Sequence, residues 1–162
     1  MTTIKLIAVC AVLISASPAF SHEKSSHGNA SISAVKEQQA WGIAGDVKAA
    51  RRTITLRMTD DMRFSPDHIT VKLGETLRLR VENKGQVLHE VVLGTPDTLQ
   101  AHAQMMLKFP TMEHDEPYMA HVAPGATADL VWQFNRAGNF EFACLIAGHF
   151  QAGMRGTFTV AP

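Results

Sequence analysis

The chain reads as an all-β sandwich or barrel carrying one short helix, and three observations predict it. Short segments from residue 52 onward alternate apolar and polar side chains with period two. Turn-forming residues such as Ser65-Pro66-Asp67, Leu73-Gly74-Glu75 and Pro124-Gly125 separate them. One stretch alone, residues 97–125, departs from the pattern.

The strands are expected in "TITLRM" (53–58), "HITVKLG" (68–74), "TLRLRVEN" (76–83), "HEVVLG" (89–94), "ATADLVWQF" (126–134), "GNFEFAC" (138–144) and "GTFTV" (156–160). In the third, Leu77, Leu79 and Val81 alternate with Arg78, Arg80 and Glu82, so one face is apolar and the other wet. An antiparallel arrangement is the expectation for so many short strands. In the departing stretch, Asp97 or Thr98 can N-cap a helix through "LQAHAQMMLKF" (99–109) that ends at Pro110. A long loop, "PTMEHDEPYMAHVAPG" (110–125), follows, and loops of that length in a small domain tend to carry function.

The N-terminus has a different texture. Lys5 precedes an apolar run from Leu6 to Ile14, then small residues and Pro18, the order of a secretory signal peptide. Residues 1–21 are read as that signal, 22–50 as a flexible arm with Trp41 docking onto the domain, and 51–162 as the domain itself. The apolar run is short for a bilayer span, so export to the periplasm without stable membrane insertion is expected. The formal charge is +0, which gives no footprint for nucleic acid.

Cleavage after Ser21 removes Cys10 and leaves Cys144 as the single cysteine. No disulfide can then form within one chain, and a lone thiol in an oxidising compartment is safe only if buried or bound to metal. Phe140, Phe142 and Cys144 share one strand face, which aims the thiol into the apolar end of the sandwich. His149 and Met154 follow on a glycine-bearing loop before the last strand. A thiolate, an imidazole and a thioether at such intervals suit copper, and His89, at the start of a strand, is the best candidate for a fourth ligand.

The spacing Cys144-x4-His149-x4-Met154, with His89 upstream, resembles that of the cupredoxins over about residues 52–160. "MRFSP", "HEVVLG" and "CLIAGHFQAGMRG" look like the small periplasmic cupredoxins associated with copper tolerance. The resemblance implies a Greek-key β-sandwich, a type 1 (blue) copper site and the ligands His89, Cys144, His149 and Met154. Glu90 stands where an Asn often ties the two ligand loops together, so another contact is expected to do so here.

A second group of soft ligands lies in the helix and loop: His102, Met105, Met106, Met112, His114, Met119 and His121. One reading makes it a lid over the core, with methionines filling gaps; the other makes it a second copper site. His22 and His27 offer an N-terminal copper site, against the reading of a solvated tail. His68 is read as an ordinary strand-entry residue.

Together these observations favour a non-enzymatic periplasmic copper protein of copper tolerance with one-electron redox at the metal. The alternative is a blue-copper electron carrier, for which Leu145, Ile146, Ala147 and Phe150 would form an apolar docking patch around His149. A multicopper oxidase needs further histidine sites, and no His-x-His pair is present. Copper ions and a redox or copper-transfer protein are the expected partners.

Overall fold

A computed structural model describes residues 36–112 and 114–162. The strands are β1 (Ile43–Ala44), β2 (Arg52–Thr59), β3 (Arg63–Ser65), β4 (His68–Lys72), β5 (Thr76–Asn83), β6 (His89–Gly94), β7 (Met119–Val122), β8 (Thr127–Gln133), β9 (Gly138–Ala143) and β10 (Arg155–Ala161). The helix α1 (Pro96–Lys108) lies between β6 and β7. Two five-stranded sheets form, in the orders β1-β8-β5-β2-β3 and β4-β10-β9-β6-β7. The chain crosses between them after β3, β4, β5, β7 and β8, as in a Greek key.

Two pairings differ from the antiparallel expectation. β2 runs parallel to β5, and β4 parallel to β10. Alternation marks a strand and its faces but not the direction of its neighbour, so the sequence pattern was silent here.

Period-two alternation explains the core. Leu56, Leu77, Leu79, Val81, Leu130 and Trp132 of the first sheet face Ile69, Val91, Leu93, Phe142 and Phe158 of the second, all buried. The second sheet also has a covered outer face. There Val92, Met119 and Ala143 pack with Leu145 and Phe150 against Leu99, Ala103 and Met106 of α1. Covered on both sides, β6 is buried along its whole length.

The helix begins earlier than its expected cap. Thr95 is the N-cap, its hydroxyl accepting from the Thr98 amide while the Thr98 hydroxyl accepts from the Thr95 amide. Pro96 sits in the first turn, where a missing N–H is harmless. The 110–125 segment is not all loop, because its residues 119–122 form β7 and pair with β6. Within the segment read as an arm, Trp41 is buried, its carbonyl accepts from Trp132 Nε1 at 3.0 Å, and β1 pairs with β8. His68 opens β4, with Nδ1 2.7 Å from the Thr157 hydroxyl.

Gly156 pairs with Phe142 across β9 and β10, and a Cβ there would press on the Phe142 ring and lie 2.6 Å from the Asp67 carbonyl oxygen. Gly156→Ala is expected to lose about 1–3 kcal/mol to overpacking. Urea unfolding checks this; an unchanged midpoint would show that the strand shifts freely.

Candidate metal centre

Three connections meet at one end of the sandwich: the β2–β3 turn, the β5–β6 segment and the loop between β9 and β10. They bring together residues far apart in sequence. His89 opens β6 and has no solvent exposure. Its Nε2 lies 3.0 Å from Asp60 Oδ1, and Asp60 also accepts from the Gln86 amide at 2.7 Å. The Gln86 amide and then the His89 ring hold the Asp60 carboxyl below its ordinary range. With Nε2–H donating to Asp60, His89 Nδ1 is left with a lone pair. That nitrogen is buried and has no hydrogen-bond partner.

Cys144 is fully buried just after β9, on the same inter-sheet face as Phe142. The Glu90 amide donates to its sulfur at 3.4 Å, and His149 Nδ1 lies 3.3 Å from it. The rings of His89 and His149 are 5.0 Å apart, centroid to centroid. One donor atom from each of His89, Cys144 and His149 lies within 4.8 Å of the other two. Met154 is fully buried in the same core cluster. Its carbonyl accepts from the Cys144 amide at 3.0 Å and its amide donates to the His149 carbonyl at 3.1 Å, so the loop closes on itself. Gly148 and Gly153, both at φ +93°, supply the left-handed turns this closure requires.

Burial pushes the Cys144 thiol up to about 12. Burial, and then the neighbouring His89, lower His149 from its ordinary value and favour the neutral ring. The donor set is therefore two imidazoles, with that of His149 biased to the neutral form, a thiol whose proton an arriving cation must displace, and a nearby thioether. Hard cations want oxygen, and structural zinc sites want more cysteine or histidine. Copper is the ion this set fits.

The segments that carry His89 and Cys144 are joined by Glu90 itself, a correction to the expectation that some other contact would do so. Its Oε1 accepts from the Leu145 amide at 2.8 Å, and its side chain is fully buried. Burial raises the carboxyl above its usual range, opposed by His121, whose Nε2 lies 2.8 Å from Oε2. Glu90 and His121 are direct partners in the β6–β7 ladder, which explains the contact. Asn83 supports the same end: its Nδ2 donates to the Val87 and Val122 carbonyls and its Oδ1 accepts from the Gly85 amide, each at 2.8 Å.

Asp60 and Asn83 were not singled out from the sequence. Asn83 in "ENKGQ" carried the signal of a side chain that bonds its own turn; Asp60 carried none. The docking patch is also corrected. Leu145 and Phe150 are buried beneath α1, leaving Ala147 exposed and Ile146 partly so, with Val87 and Leu88 each 43% exposed nearby in sequence to His89.

Of the second group, His102, Met105 and Met106 lie on α1, Met112 and His114 on the segment after it, and Met119 and His121 on β7. His102 and His114 have ring centroids 4.6 Å apart, His114 and His121 5.9 Å. Met105 is 43% exposed and lines a separate cleft with His102. His22, His27 and the signal segment lie outside the described residues.

Removing the acceptor with Glu90→Ala strands the Leu145 amide in the interior. The metal-free protein is expected to lose about 1–3 kcal/mol or more, while Glu90→Gln, which keeps a carbonyl oxygen, loses less. Guanidinium unfolding of both variants decides it; equal losses would mean that charge matters rather than the acceptor.

The comparisons agree with this geometry. The cupredoxin-like domain pattern matches residues 5–160. The copper-resistant cuproprotein CopI of Rubrivivax gelatinosus is 52% identical over 120 residues, covering 74% of this chain and 73% of that protein. Its counterpart in Pseudomonas aeruginosa is 37% identical over 153 residues, covering 76% and 84%. The dithionite-reduced auracyanin of Roseiflexus castenholzii has the same fold, with TM-score 0.60 at 20% identity over 70% of this chain and 99% of that one. This chain belongs to the cupredoxin-like family and, within it, to the copper-resistant cuproproteins.

Proposed function

We propose that the protein is a periplasmic type 1 copper protein acting in copper tolerance. His89 Nδ1, Cys144 Sγ and His149 Nδ1 would hold the copper, with the Met154 thioether as a weaker fourth ligand that tunes its potential. The observation that carries this reading is the buried, unpartnered His89 Nδ1 facing a buried thiol and a second imidazole, with all three donors inside 4.8 Å. An orphaned buried nitrogen is costly in a folded protein unless a ligand uses it.

Copper bound there supplies a one-electron couple between Cu(I) and Cu(II). The protein's own residues fix the geometry on either side of that exchange. Asp60 sets the His89 tautomer, the Glu90 amide donates to the sulfur, and Glu90 Oε1 holds the ligand loop against β6. Such outer contacts orient metal ligands and tune their potential. The role is binding and electron exchange rather than bond-making chemistry. Export is supported by the charged, apolar and small-residue order of residues 1–21. Among the described residues no helix is long and apolar enough to cross a membrane.

The tolerance role is supported by the similarity to copper-resistant cuproproteins. The electron-carrier reading draws on exposed Val87 and Leu88, which give apolar surface beside His89 in sequence. Growth of a deletion strain separates the two: sensitivity to added copper with normal respiration supports tolerance, whereas a respiratory defect without copper stress supports the carrier.

For the site, Cys144→Ala is expected to abolish the intense thiolate-to-copper absorption of the Cu(II)-loaded protein. Met154→Gln is expected to keep the colour with a lower reduction potential. A colourless copper-loaded wild type would overturn the ligand assignment.

A further inference from the structure

The second sheet carries chemistry on both faces. His89 points between the sheets, and its neighbour Glu90 points to the outer face, toward α1. On that outer face lies a cleft of about 910 Å³ lined by Met106, Met112, His114, Met119 and His121, with Ile146 in its wall. Met106 and Met119 are buried within the layer under α1, while Met112 is 36% exposed at its mouth.

The imidazoles here are arranged for a ligand. His114 Nδ1 lies 3.2 Å from the Met112 carbonyl, so Nδ1 carries the proton and Nε2 holds a lone pair. His114 Nε2 is buried and has no hydrogen-bond partner, and the same is true of His102 Nε2. The two rings are neighbours, at 4.6 Å. Burial, and then His114, lower His102 from its ordinary value, which keeps its ring in the metal-binding neutral form. His121 is engaged differently, since its Nε2 faces Glu90.

Two neighbouring unpartnered imidazole nitrogens, His114 Nε2 on the methionine-lined cleft and His102 Nε2 beside it, are costly as core packing alone, which leaves them unsatisfied. Nor is this a zinc site. Among the described residues, no trio of His, Cys, Asp or Glu donors besides His89, Cys144 and His149 lies within 4.8 Å, and zinc sites use three or four such donors. Cu(I) accepts two imidazoles completed by thioether, and it needs no thiol. We propose that the edge of this cleft where His114 meets His102 is a second copper site selective for Cu(I), with His102 and His114 as nitrogen ligands and Met106, Met112 or Met119 supplying sulfur.

The site is separate from the type 1 centre in ligands but adjoins it through one residue. Glu90 faces His121 on the cleft side, bonds the Leu145 amide next to Cys144, and follows His89 in the chain. A protein with both sites holds two copper ions on opposite faces of one sheet.

The test is anaerobic Cu(I) titration of the full exported chain against a chromogenic Cu(I) chelator. The wild type, Cys144→Ala, the double variant His102→Ala/His114→Ala and the arm variant His22→Ala/His27→Ala are compared. Two tightly held ions are expected in the wild type, one in Cys144→Ala and one in the double variant. The double variant should also keep the thiolate-to-copper absorption when loaded with Cu(II), which shows that it is folded and its type 1 centre intact. Zn(II) should not compete at the site remaining in Cys144→Ala. A single ion in the wild type, lost in Cys144→Ala, would overturn the second site and leave the type 1 reading standing. Two ions persisting in the double variant, or the second lost only in the arm variant, would also overturn it. Two ions in Cys144→Ala would instead count against the type 1 assignment.

Discussion

The contact on which the rest depends is the buried hydrogen bond from the Leu145 amide to Glu90 Oε1. It links β6, which carries His89, to the loop that carries Cys144, His149 and Met154. An amide side chain could make the same bond. A carboxylate makes a stronger one in a dry setting, because a hydrogen bond to a charged acceptor is roughly twice as strong as a neutral one. It also brings a group whose charged form burial disfavours. His121, its partner on β7, lies 2.8 Å from the second oxygen, so the segment that supplies the methionine cleft also serves the ligand loop.

The three-layer packing follows from the same place. An ordinary sandwich exposes the outer face of each sheet and shows alternation on every strand. Here α1 and Phe150 cover the outer face beneath β6 and β9. β6 therefore reads "HEVVLG", with Val at adjacent positions and an acid that never meets solvent. The helix is held in place by Leu99, Ala103 and Met106, spaced three or four residues apart on one face. Its Met105 and Leu107, and Phe109 just after it, remain exposed.

Much of this was legible in the sequence, and the parts that were not share a cause. Alternation located β2, β4, β5, β8, β9 and β10, because burial on one face leaves a period-two trace. It also aimed Phe140, Phe142 and Cys144 inward. It could not find β1, β3 or β7, which have two, three and four residues and too few repeats to show a period. Missing β7 turned Met119 and His121 into loop residues and hid the cross-strand pair with Glu90. The helix start was misplaced at Asp97 or Thr98, although Thr95 before Pro96 is itself a start signal. Asp60 was invisible because its role depends on a fold contact across 29 residues. Leu145 and Phe150 were assigned to the surface because nothing local says which loop side a helix will cover.

The apo centre sets stability against binding. Leaving His89 Nδ1 unpartnered in the interior costs about 1–3 kcal/mol in a metal-free protein. The same burial that raises Cys144 to about 12 keeps the empty thiol protonated, and a protonated thiol is a poor target for oxidants. Both features disfavour the free protein's reactivity and favour the metal, since an ion that displaces the proton relieves the orphaned nitrogen at the same step. The Cys144 thiol is thereby guarded by its own burial.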